Sequence, residues 1–175
     1  MKIFIPSPAH ETVPDDVLRS IRVQGVEPEI IDCTFDLAIP KRKRIIMAKT
    51  KCKEIGLSCA DDYVVLNDND LVHLQADNFE VMTKFLEENF HFGAVSLLRM
   101  GMPIGETVYN AKIKNHICSG CIMFTREGLE KVSFDDGIGE RPTCFIIGES
   151  LALSDKKYGY LDVVKRIAVH IRSGK

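Results

Sequence analysis

An α/β layered sheet is the fold class this 175-residue sequence predicts. Short apolar runs alternate with helical patterns through the first hundred residues, the order expected of strands crossed by helices. The sharpest run, Tyr63-Val64-Val65-Leu66, is apolar throughout, as a central strand covered on both faces should be. No repeat, linker or low-complexity segment divides the chain, and its length suits one domain with a well-buried core.

Lys2 to Ile5 reads as a first strand, halted by Pro6. Thr12 is the expected N-cap of a helix with Pro14 in its first turn, Asp15 and Asp16 favouring the dipole, and Val17, Leu18 and Ile21 forming the buried stripe. Glu29 to Ile31 is a second strand ending at Asp32. The basic run Lys41-Arg42-Lys43-Arg44 opens a helix with Ile45, Ala48, Cys52 and Ile55 inward, and Gly56 is the expected stop. After the Tyr63–Leu66 strand, the period of Phe79, Met82 and Leu86 predicts a helix over 78–88. Strands follow over 93–98 and 117–124, separated by a loop over 99–116. Thr125 caps a short helix through Val132, residues 133–143 form a loop, a helix spans 148–157, and a last strand covers about 161–171.

Composition excludes several classes. Lys plus Arg total 23 against 25 Asp plus Glu, a net charge of −2, which argues against an electrostatic nucleic-acid binder. With 45% hydrophobic and 27% charged residues the chain is not disordered. No apolar run is long enough to span a bilayer. No signal peptide is visible, since Met1–Ile5 is followed at once by Pro6, Pro8, His10 and Glu11; a soluble, cytoplasmic protein with reduced thiols is expected.

Ligands of open α/β sheets collect beyond the carboxyl ends of strands, and there the Tyr63–Leu66 strand runs into Asn67-Asp68-Asn69-Asp70. Spacing i, i+2 on a continued strand puts Asp68 and Asp70 on one face, roughly 6.5 Å apart. One ion about 2.1 Å from its oxygens can hardly take both carboxylates from that geometry. Asp70 is therefore the expected direct metal ligand, with Asp68 acting through water or on a ligand hydroxyl. Carboxylates suit Mg²⁺ or Mn²⁺, which grip diphosphates. The competing reading is a plain polar turn, because Asn and Asp are ordinary turn residues.

In this setting the strand with D-x-D resembles the metal and nucleotide-sugar site of GT-A fold glycosyltransferases, most closely those of family 2. The likeness runs over nearly the whole chain. Lys2–Glu11 resembles the opening strand and base-contacting loop, and Glu29–Asp32 the second strand, whose terminal Asp contacts the base. Arg44 to Ala60, with Asp62 to Leu66, resembles the helix and strand leading into D-x-D. Ser119-Gly120-Cys121 through Arg126 resembles the glycine-containing strand beside donor and acceptor. Ile147-Gly148-Glu149-Ser150 resembles the segment with the catalytic carboxylate, and His170 falls where the fold often places a metal-binding His. The resemblance implies one GT-A domain with a mostly parallel sheet flanked by helices. Residues 1–98 would form its nucleotide-binding half and 99–175 its acceptor and catalytic half.

The resemblance assigns Asp70 and His170, with Asp68, to the metal, and Glu11, Asp32, Arg44, Lys49, Asp68 and Gly120 to the donor. Glu149 becomes the general base, with Asp155 and Glu140 as alternatives. Strand alternation puts His170 on the more polar face with Asp162, Arg166 and Arg172; a hydrogen-bonded surface His is the competing reading. Cys118 and Cys121 fall on opposite faces of a strand and read as structural thiols, whereas Gly120 suggests close backbone approach to a ligand. The basic run at 41–44 with Lys49 either screens a diphosphate or is a solvated face.

The expected protein is a metal-dependent glycosyltransferase, inverting in mechanism. It would use Mn²⁺ or Mg²⁺ and a nucleotide sugar such as a UDP- or GDP-sugar, with a glycan or other hydroxyl as acceptor and no nucleic-acid partner. A nucleotidyltransferase and a non-catalytic nucleotide-sugar-binding protein are the alternatives.

Overall fold

A computed structural model describes residues 1–8, 11–99, 117, 119–135, 137, 141–160 and 167–170, with side chains left aside at 98–99, 158–160 and 167–170. Nine strands and five helices are described. In chain order they are β1 (Lys2–Ser7), α1 (Asp15–Arg22), β2 (Glu29–Asp32), α2 (Lys41–Ser58), β3 (Tyr63–Asn67), β4 (Leu71–His73) and α3 (Asn78–Glu88). They continue with β5 (Phe92–Ser96), β6 (Leu98–Arg99), β7 (Cys121–Thr125), α4 (Arg126–Lys131), α5 (Thr143–Leu153), β8 (Lys157–Tyr160) and β9 (Ile167–His170).

The main sheet has the order β2-β1-β3-β7-β5-β8, and β7 alone runs against the other strands. Strand alternation divides the core in two. Val64 and Leu66 of β3, with Phe4, Ile122 and Phe124, face α2, α4 and α5 through Ile46, Cys52, Leu129, Ile147 and Leu151. Val65, with Ile3, Ile5, Val95 and Met123, faces α1 and α3 through Val17, Ile21, Phe79, Met82 and Leu86. Each such buried side chain contributes roughly 1.5–3 kcal/mol. A second, three-stranded sheet has the order β4-β9-β6, with β9 antiparallel to β4 and parallel to β6, and Leu71 of β4 joins the core cluster of Ile3, Ile5 and Val65.

Several expectations are corrected. Pro6 does not stop β1. Pairing with β3 ends at Phe4, and beyond it β1 pairs only with β2, through Ser7↔Asp32, so the missing proline N–H costs little. Pro14, not Thr12, caps α1, its carbonyl accepting from the amides of Val17 and Leu18. Helix α2 buries Ala48 and Cys52 and packs Ile55 on the core as expected, but it also buries Ile46 and Lys49 and leaves Ile45 exposed. It also runs through Gly56, where an added Cβ would lie 3.1 Å from Leu129 and Val64. The last helix begins at Thr143, five residues before the expected start, because Pro142 caps it. The expected end of that helix, around Lys157–Gly159, is strand β8. Strand β7 begins at Cys121. The loop expected over 99–116, beyond residue 99, lies outside the described residues, as do Cys118, Glu140 and the chain at 161–166 and 171. No described helix is long and apolar enough to cross a membrane.

Other expectations hold. Thr125 caps α4, its Oγ1 accepting from the Gly128 amide at 3.0 Å, and α3 occupies the predicted residues.

Candidate functional site

The topology collects one edge of the sheet. Because β1, β2, β3 and β5 are mutually parallel and β7 is reversed, the carboxyl ends Ser7, Asp32, Asn67 and Ser96 meet the amino end of β7. The Cys33 amide donates to the Ser7 carbonyl at 2.8 Å, the Asp68 amide to the Gly120 carbonyl at 2.7 Å, and the Leu97 amide to the Cys121 carbonyl at 3.2 Å.

Strand β3 ends at Asn67, so Asp68, Asn69 and Asp70 do not continue it. They form a turn closed by the Leu71 amide on the Asp68 carbonyl at 3.2 Å. The same-face geometry expected of a strand therefore does not apply to this pair. All three side chains are half-buried. Asn69 Nδ2 donates to Glu11 Oε2 at 3.0 Å and Ser7 Oγ at 3.2 Å, and Ser7 Oγ in turn donates to the Glu11 carbonyl at 3.3 Å. The loop after β1 is thereby tied to the acidic turn.

Lys49, on the inner face of α2, is 4% exposed. Its ammonium reaches Asp68 Oδ1 at 3.1 Å and the Ser119 carbonyl at 3.0 Å. A buried ammonium is held only where such acceptors surround it. Lys49 thus joins the ends of β3 and β7 across the edge. Gly120, expected to allow close backbone approach, is buried and meets the Asp68 amide through its carbonyl.

Asp32 lies exposed at the end of β2, where its Oδ1 accepts from the Thr34 amide at 2.9 Å and the Thr34 hydroxyl at 2.7 Å. Its carbonyl takes Lys51 Nζ at 2.6 Å. Behind it, Cys33 and Cys52 share a hydrogen bond, which holds the Cys33 thiol below its usual range and, together with burial, drives Cys52 up. Cys33, Cys52, Cys59 and Cys144 are free thiols. Arg44 donates from Nε to the Ile39 carbonyl at 3.1 Å, at the entrance of α2.

Glu149 projects from α5 and pairs with Arg141, Oε2 accepting from Nη1 at 2.5 Å, both side chains partly exposed. Ser150 is structural: its hydroxyl donates to the Ile147 carbonyl and accepts from the Ser133 amide. The amino end of α5 lies toward the edge. The Cys144 carbonyl accepts from the Ile117 amide at 3.2 Å, and its thiol, pushed up by burial, is pulled the other way in part by the charges of Lys49 and Arg42. For His170 only the backbone is described: its position in β9 pairs with Leu71, one residue beyond Asp70.

A buried polar chain behind the turn gave no sequence signal. Asn67, fully buried, donates from Nδ2 to the carbonyls of Asp68 at 3.0 Å and Leu71 at 3.4 Å. Its Oδ1 meets His73 Nε2 at 2.9 Å, and His73 Nδ1 meets Asn78 Nδ2 at 3.2 Å. His73 shows no metal-ligand spacing in the sequence, and its three-residue strand is too short to show a period.

No protein-family model matches the chain, and no curated protein is significantly similar to it. Solved structures do match. The mannosyltransferase PcManGT from Pyrobaculum calidifontis, in complex with GDP-Man and Mn²⁺, aligns with a TM-score of 0.66 at 16% identity, over 97% of this chain and 56% of its own. The chain has the GT-A fold. A197 from STIV aligns at a TM-score of 0.63 and 20% identity, over 99% of this chain and 87% of that one. A CMP:2-keto-3-deoxy-manno-octonic acid synthetase complexed with CTP aligns at 0.55 and 10% identity, over 91% and 88%. The GT-A chain described here thus spans little more than half of the mannosyltransferase.

Two carboxylates of the donor type that hard divalent ions take stand at the turn. The half-buried carboxylates of Asp68 and Asp70 sit on one short turn, and oxygen donors of this kind suit Mg²⁺ and Mn²⁺. Lys49 already neutralises part of the charge at Asp68. Among the described residues no group of three or more His, Cys, Asp or Glu side chains forms a metal cluster.

Proposed function

We propose that the protein is a glycosyltransferase that moves a sugar from a nucleoside-diphosphate donor to an acceptor hydroxyl. One observation carries the reading: an acidic turn, Asp68–Asp70, stands at the carboxyl edge of a GT-A sheet with the buried Lys49 ammonium beside it. The match to a mannosyltransferase solved with GDP-Man and Mn²⁺ supports a donor of that class.

Asp70 and His170 would hold Mn²⁺ or Mg²⁺, with Asp68 assisting, and a bound ion supplies positive charge against the departing diphosphate. Asp32 and Glu11 would hold the base and ribose. Lys49 holds the Asp68 carboxylate in place, and Arg44 is offered to the diphosphate. Gly120 lets the donor approach the backbone. Glu149 would take the proton of the acceptor hydroxyl as that oxygen attacks the anomeric carbon, with inversion. Arg141 holds its carboxylate at the start of that step. Residues 1–98 serve the donor and residues 99–175 the acceptor in this proposal, within one cytoplasmic domain.

Product analysis tests the reading. With a nucleotide sugar and a hydroxyl acceptor, nucleoside diphosphate should accumulate. Pyrophosphate chemistry instead would support the nucleotidyltransferase alternative, which the likeness to the CMP-linked synthetase favours. Donor binding without turnover would leave a binding protein.

A further inference from the structure

We propose that His73 is a positioning residue for the acidic turn: it holds the Asn67 carboxamide so that one side chain spans the turn bearing Asp68 and Asp70. The hydrogen-bond directions fix the chain of contacts. Asn67 Nδ2 faces two carbonyl oxygens, those of Asp68 and Leu71, so it is the amide nitrogen and Oδ1 is the acceptor turned toward His73. Nε2 of His73 therefore carries the hydrogen. Nδ1 is then bare and accepts from Asn78 Nδ2. Asn78 Oδ1, buried, has no hydrogen-bond partner among the described residues.

The imidazole is itself anchored on several sides. The His73 amide donates to Ser20 Oγ at 3.1 Å, and Ser20 Oγ donates to the Val17 carbonyl at 2.8 Å. Phe79 packs edge-on against the ring, with centroids 4.8 Å apart. The Phe79 amide donates to Gln24 Oε1, and Gln24 Nε2 donates to the Ser20 carbonyl. Helices α1 and α3 thus fix the ring, the ring fixes Asn67, and Asn67 fixes the turn. No charged side chain appears among these contacts, and burial holds His73 neutral, with its pKa pushed down to about 4. A neutral imidazole with one donor and one acceptor nitrogen is what a relay between two carboxamides needs.

This inference rests on the proposed function only for its consequence, donor binding; its structural part stands alone. Long-range ¹⁵N–¹H spectra of the wild-type protein at pH 7 should show the Nε2–H tautomer. The Nδ1–H tautomer would overturn the proposal. Amide exchange then reads the turn in His73→Phe, which keeps an aromatic ring but has no donor, and in His73→Gln, whose amide can donate. The Leu71 amide should exchange about tenfold faster in His73→Phe, the loss expected for one buried hydrogen bond, with the Ile5 amide unchanged, and His73→Gln should restore it. Unchanged exchange at Leu71, or an equal rise at Ile5 and Leu71 that Gln does not reverse, would overturn it. Mn²⁺ with GDP, titrated into the same variants, should bind about tenfold more weakly to His73→Phe and recover in His73→Gln. If the wild type binds neither, the transferase reading fails, while the tautomer and exchange results still decide the role of His73.

Discussion

The Lys49 ammonium lies 3.1 Å from Asp68 Oδ1, with Lys49 buried and Asp68 partly open to solvent. This pair is the only described ion pair linking α2 to the turn after β3. Removing one partner leaves the other charge poorly compensated, which costs more than the pair contributes when intact. Lys49→Met should lower unfolding free energy by about 2 kcal/mol, a value reduced for the exposure of Asp68. In urea titrations, Lys49→Met combined with Asp68→Asn should cost at least about 1 kcal/mol less than the sum of the single changes. Additive effects would show that the pair does not couple.

Stability should depend on pH through His73. Its folded-state pKa of about 4 lies below the ordinary 6.5, because burial disfavours the cation. Between these values the unfolded chain binds more protons, so stability is full above about pH 6.5 and falls as pH drops toward 4. The loss between pH 7 and pH 5 should be about 2 kcal/mol. His73→Gln should remove this dependence, and equal slopes for wild type and variant in urea titrations at the two pH values would contradict it.

Gly128 sits in α4 directly against β5. A Cβ there would lie only 1.9 Å from the Gly93 carbonyl oxygen, a backbone atom that no rotamer change can move. Gly128→Ala should therefore destabilise by about 3 kcal/mol or prevent folding. A melting temperature close to that of the wild type would show that α4 stands further from the sheet.

The sequence made the scaffold legible where burial and period coincide. Phe79, Met82 and Leu86 lie one and two turns apart on α3, and the unbroken apolar run of β3 marks a strand covered on both sides. Helix α5 starts five residues before its expected position, because Thr143–Leu153 is apolar on most of its circumference and offers no period to follow. Lys49 reads as a surface cation in any pattern of hydrophobic residues, yet α2 is phased to bury it, since Asp68 and the Ser119 carbonyl meet it inside. The location of the acidic turn followed from the order of strand and polar residues. Its internal geometry did not, because Asn67, Leu71, His73 and Asn78 shape it through contacts that sequence spacing does not display.

Glu149→Gln keeps the size and one hydrogen-bond acceptor of the side chain but removes the base. Turnover of a nucleotide sugar with a hydroxyl acceptor should fall by about 10²–10⁴-fold, with donor affinity unchanged. An equal loss of donor affinity would move Glu149 from proton transfer to donor binding, and unaltered turnover would point to another carboxylate such as Asp155.

Calorimetric titration of nucleoside diphosphate in the presence of Mn²⁺, on the wild type and on Asp70→Asn, tests the metal-held diphosphate beyond β3 most directly. The wild type should bind GDP or UDP with a strict need for the ion, and Asp70→Asn, with its melting temperature retained, should lose at least about tenfold in affinity. Equal binding by the two proteins, or no binding of either nucleotide by the wild type, would contradict it.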